Sequence, residues 1–105
     1  MPQFAVYRNK NPKTKGEIPY LLDIQSDLLG ELRTRVVVPL YHKKSTRIKP
    51  MTRLTPELEI EGRKLILMTP QLAGVSMKDL GEPVGNLKQN RPEILAALDM
   101  LITGF

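Results

Sequence analysis

Hydrophobic periodicity changes once along this chain, near residue 92, and that change limits the fold more than any other feature. Before it, apolar residues recur with the period of a strand. "QFAVYR" sets Phe4 and Val6 against Ala5 and Tyr7, and "PYLLDIQS" sets Tyr20, Leu22 and Ile24 on one side of a pleat with Asp23 and Gln25 on the other. The turn-rich stretch Asn9–Gly16 between them reads as a hairpin loop, so the two should pair. "RVVVPL" is short, β-branched and continuously apolar, the pattern of a central strand covered on both faces. Pro39, which cannot donate to a ladder, is expected to close it. "ELEIEGRKLILMT" is the clearest hairpin: Leu58 and Ile60 alternate with Glu57, Glu59 and Glu61, Glu61-Gly62 forms the turn, and Leu65 to Met68 returns. "AGVSMKDLGEPVGNL" reads as one or two short strands broken by Gly81, Pro83 and Gly85.

After residue 92 the pattern is helical. Pro92 and Glu93 suit a first turn, although the start could lie a turn earlier near Lys88. From Ile94 to Ile102 only Asp99 is charged, and "ALDMLITGF" runs through Thr103 and Gly104 to Phe105 without a polar tail. A helix lying on its own sheet carries a polar outer face. The 105 residues make one domain, residues 1–105, and a domain of that size hides only about two thirds of its surface. An intermolecular contact is therefore expected, and if it is a two-fold homodimer face, Ala97, Met100 and Leu101 should lie near it.

The net charge is +5, unevenly placed. Arg8, Lys10, Lys13 and Lys15 form one acid-free run, and Lys43, Lys44, Arg47, Lys49 and Arg53 fall in a second, the basic loop 42–53. Such runs are either solvated loops or attractors of phosphate or acidic protein surfaces. With only Tyr41 beside the second run, the stacking platforms of single-strand binders are missing, and an acidic protein partner fits at least as well as a nucleic acid. With no cysteine and one histidine, His42, no metal or other cofactor is expected. No run approaches the length of a membrane span and the start lacks a signal-like apolar stretch, so a cytoplasmic protein is expected. Glu57, Glu59 and Glu61 could form a paired-carboxylate site, but alternation with Leu58 and Ile60 is the solvent face of a half-buried strand, and no catalytic residue is assigned.

Four blocks, "YLLDIQSDLL", "RVVVPL", "LMTPQLAGV" and "LDMLITGF", resemble in order and spacing those of the CcdB family, toxins of plasmid-type toxin–antitoxin modules. The likeness runs from Gln3 to Phe105 and is weak over 8–19 and 41–58. It implies a mainly β fold with one C-terminal helix, an SH3-like barrel of five antiparallel strands plus a smaller sheet, assembled as a homodimer. It also implies a gyrase poison and not an enzyme, binding the DNA gyrase A subunit and trapping cleaved DNA, so that DNA is met only through gyrase or the antitoxin complex. By the same resemblance Leu28, Leu29, Asp99, Ile102, Thr103, Gly104 and Phe105 would contact gyrase, and a CcdA-like antitoxin would wrap the toxin with a disordered segment. The family's usual ending is tryptophan, glycine and isoleucine, the tryptophan stacking on a gyrase arginine. Here Thr103 stands in its place, and Asp99 stands where an amide is usual. The alternatives are a MazF-type endoribonuclease on the same barrel, using the basic loop and His42, and an inactive module that retains antitoxin binding.

Overall fold

In the computed structural model, which describes residues 2–44 and 51–104, the sheet is organised around one long strand, Thr34–His42. The strands are β1 (Ala5–Asn9), β2 (Tyr20–Asp23), β3 (Thr34–His42), β4 (Glu57–Ile60), β5 (Arg63–Leu67), β6 (Ala73–Ser76) and β7 (Leu80–Asn86), followed by the helix α1 (Arg91–Thr103). Every pairing is antiparallel. The first half of β3 pairs with β6 and its last residues with β5, so β6-β3-β2-β1-β7 form a five-stranded run while the β4–β5 hairpin branches from the far end of β3. The main sheet and the smaller one are thus continuous through β3.

Pro39 does not close its strand. It lies between Val37, paired with Ala73, and Leu40, paired with Leu67, and its carbonyl accepts from the Met68 N–H. A missing donor costs little where the ladder passes from one partner strand to another. For a similar reason Gly81, Pro83 and Gly85 do not break β7. It is an edge strand with two register shifts against β1, where a proline leaves no central ladder unpaired. Gly81 is required there, because a Cβ would stand 2.7 Å from the Arg8 carbonyl oxygen.

The first hairpin forms as its alternation predicts, with Val6 opposite Leu22 and Arg8 opposite Tyr20. In the second, Ile60 faces Arg63 across Glu61-Gly62, both with positive φ, the two-residue turn that matches strand twist. The curled sheet buries Val6, Leu22, Val38, Leu40, Leu65 and Leu67 on its inner face, where Ile94, Leu95 and Leu98 of α1 cover them. At about 1.5–3 kcal/mol for each fully buried aliphatic side chain, this face is the main source of stability. The opposite face buries a smaller cluster of Ala5, Tyr7, Val37 and Leu80. Arg8 closes the curl, bonding Glu82 of β7 at 2.9 Å and lying over the Tyr20 ring, while the Tyr20 hydroxyl donates to Glu61 at the hairpin tip.

The turn Lys88–Asn90 leads directly into α1, which reconciles the two starts allowed by the sequence. Only Ile94 and Ala97 of α1 are fully buried. Among the described residues no helix is long and apolar enough to cross a membrane.

Candidate functional site

Asp23 and Gln25 alternate with apolar residues and read as a polar face, yet both are buried, and with them Arg35. The Arg35 Nε donates to Asp23 Oδ2 at 2.8 Å with both side chains fully buried, and Arg35 Nη2 reaches the Gln25 carbonyl at 3.3 Å. Gln25 uses all of its polar atoms. Its N–H donates to Asp23 Oδ1, its Oε1 accepts from the Val36 N–H, and its Nε2 donates to the Leu29 carbonyl at 3.0 Å. Burial, reinforced by Asp23 and partly opposed by Arg35, pushes the Tyr7 hydroxyl above its ordinary pKa.

This network stands behind the single turn Asp27–Leu29. Ser26 Oγ accepts from the Leu28 N–H, Asp27 Oδ1 accepts from the Gln3 N–H at 2.7 Å, and Gln3 Nε2 holds the Ile24 carbonyl. Phe4, next in the chain, is buried with φ at +69°, held by bonds from its N–H to Asp23 and from Leu87 to its carbonyl. A bulky residue in that region costs about 1–3 kcal/mol and persists only where its surroundings over-determine it, as these bonds do. In front of the scaffold, Leu28 is 94% exposed, Leu29 50% and Leu32 49%. Leu32, whose N–H bonds the Leu29 carbonyl, joins the same apolar projection, and no periodicity in the sequence singles it out.

The other candidate residues lie at the end of α1. Ile102 is 74% exposed, Asp99 and Thr103 are exposed, and Gly104 caps the helix in a left-handed conformation, its N–H on the Met100 carbonyl. The Thr103 hydroxyl is absorbed by the Asp99 carbonyl at 2.7 Å. Phe105 lies outside the described residues. Asp27 shares a small surface pocket with Lys88 and Arg91, at the start of α1. The leucine turn therefore sits near one end of the helix and Ile102 about 17 Å further along it, at 1.5 Å per residue. Of the residues expected near a two-fold contact, Ala97 is fully buried within its own chain. Met100 and Leu101 are half-buried.

The His42 N–H bonds the Glu17 carbonyl, which ties the residue before the second basic run to the segment that follows the first. Arg8 and Lys10 are engaged within the chain, Lys10 by the Lys78 carbonyl, and Lys43 pairs with Glu57 at 3.0 Å on the surface. Arg47 and Lys49 lie outside the described residues. A groove of about 550 Å³ opens beside the first loop, floored by Leu21, Val37 and Val75. Glu57, Glu59 and Glu61 do not converge: Glu57 faces Lys43 and Glu61 faces Arg8 and Tyr20. His42 is half-buried and makes no side-chain hydrogen bond or ion pair among the described residues. Also among the described residues, no three His, Cys, Asp or Glu side chains come together as a metal site.

A branched, curled antiparallel sheet closed by one C-terminal helix forms a half-barrel. The chain is similar, with a TM-score of 0.75, to the solved structure of an endoribonuclease in complex with its cognate antitoxin from a Mycobacterial species. The match covers 97% of this chain and 94% of that one. At 14% identity that likeness is one of fold. Residues 3–104 match the family described as CcdB protein, and the chain belongs to that family, the toxin component of toxin–antitoxin modules.

Proposed function

We propose that this protein is a gyrase poison, acting as a homodimer that binds the DNA gyrase A subunit and holds the enzyme in its DNA-cleaved state. One observation carries the reading. Leu28 and Ile102 are the two most exposed large apolar side chains among the described residues, and both are positions at which the family resemblance puts gyrase contacts. Solvent-facing leucine and isoleucine on ordered backbone favour a protein partner. Such a ligand needs no chemistry of its own, since preferring one state of its target shifts the population toward that state.

The test is to incubate the purified protein with gyrase and supercoiled DNA and, separately, with total RNA. Linear DNA after denaturation is the expected product. Cut RNA with intact DNA refutes the proposal in favour of the endoribonuclease reading, for which the similar fold is the support.

The cations Lys13, Lys15, Lys43 and Lys44 suit an acidic, disordered antitoxin segment, and the antitoxin-bound neighbour of the same fold supports a partner of that kind. Association with the antitoxin should slow as salt rises, and replacing Lys43, Lys44 and Arg47 with glutamine should lower the on-rate without unfolding the protein. An unchanged salt slope removes this role from the lysines.

A further inference from the structure

We infer that Gln25 is a positioning residue for protein binding: through its bond to the Leu29 carbonyl it locks the Asp27–Leu29 turn in the geometry that presents Leu28 and Leu29 to a partner. This rests on the gyrase-contact reading of those leucines. A short exposed turn carrying adjacent leucines has an easier alternative, which is to fold them back onto the protein's own apolar surface. In this chain the turn is held from three sides. Gln25 Nε2 grips the Leu29 carbonyl at 3.0 Å, Ser26 caps the Leu28 N–H, and Asp27 is bound to the Gln3 backbone. Gln25 is itself fixed, because its Oε1 accepts from the Val36 N–H of β3 and its carbonyl accepts from Arg35, whose guanidinium is paired with Asp23. Of these three ties, the Gln25 side chain is the one that joins the turn directly to β3. Leu28 stays 94% exposed while its backbone is pinned, and pre-ordering of that kind lowers the entropy a contact must otherwise overcome on binding.

Gln25→Met keeps the side chain's length and removes its hydrogen bonds. If the turn then spends about a tenth of its time in the binding geometry, affinity for purified DNA gyrase A subunit should fall about tenfold. Amide order parameters at Leu28, Leu29 and Gly30 should fall in the free protein, with those of β2 unchanged. In a Leu28→Ser background, Gln25→Met should weaken binding much less, because its effect runs through the leucine. Equal weakening in both backgrounds, or unchanged order parameters, overturns the positioning role while leaving the contact reading in place. If Leu28→Ser itself leaves gyrase affinity unchanged, the contact reading fails and the inference with it. Should Gln25→Met fold poorly, Ser26→Ala, which removes only the Leu28 cap, takes its place in the same three measurements, and the same results support or overturn the locking of the turn.

Discussion

The leucine turn and the end of α1 both show apolar side chains to solvent, but they are held in opposite ways. The turn is tied to a fully buried ion pair and to two strands by side-chain hydrogen bonds. At the helix end, the bonds from Thr103 and Gly104 return to Asp99 and Met100 one turn back. One display is anchored by tertiary structure and the other by its own helix. Changes behind the turn should therefore cost folding stability, whereas changes at the helix end should be read out in binding.

The sharpest way to break this contrast is Arg35→Met. It leaves Asp23 buried and unpaired, and breaking such a pair from one side costs about 3–5 kcal/mol. Chemical denaturation should show a loss of that size, and Asp23→Leu combined with Arg35→Met should regain most of it. A single variant within about 1 kcal/mol of the parent, a surface-like cost, would show that the pair anchors nothing.

Smaller effects belong to the helix end. Thr103→Trp gives up a hydroxyl already spent on its own helix and offers an aromatic face to an arginine, which should tighten gyrase binding by about 0.5–2 kcal/mol in a titration. Deleting Thr103–Phe105 should have the least effect on stability, within about 1 kcal/mol by thermal melting, because exposed ends contribute little to folding. The same deletion should abolish growth arrest in cells. If it unfolds the protein, the end of the chain belongs to the core and the contrast collapses.

Much of the fold is legible in the sequence because each signal is local. Alternation places the hairpins, Glu61-Gly62 places the tight turn, and Pro92 places the first turn of α1. The two departures, a strand that continues past Pro39 and an unbroken β7, share a cause: whether a proline ends a strand depends on which neighbour faces its nitrogen, and that is settled by pairing partners distant in sequence. The exposed leucines and Ile102 are accessible through family resemblance alone, since an apolar residue looks the same in sequence whether it will be buried or displayed. Ala97 shows the reverse case, an apolar helix residue whose neighbours in sequence do not reveal that it is completely buried within its own chain.

By itself, then, the sequence determined the order of strands and helix, the tight turns and an apolar surplus near the C-terminal end, because periods of 2 and 3.6 and the dihedral demands of turns are properties of neighbouring residues. The tertiary structure decided that Asp23 and Gln25, whose alternation reads as an ordinary polar face, join Arg35 in a buried network, and that the turn in front of them is hydrogen-bonded to it. The physical reason is the same for each. A charge or an amide can be buried only where a partner arrives to satisfy it, and here the partner for Asp23 comes from the next strand of the sheet, which only folding places opposite.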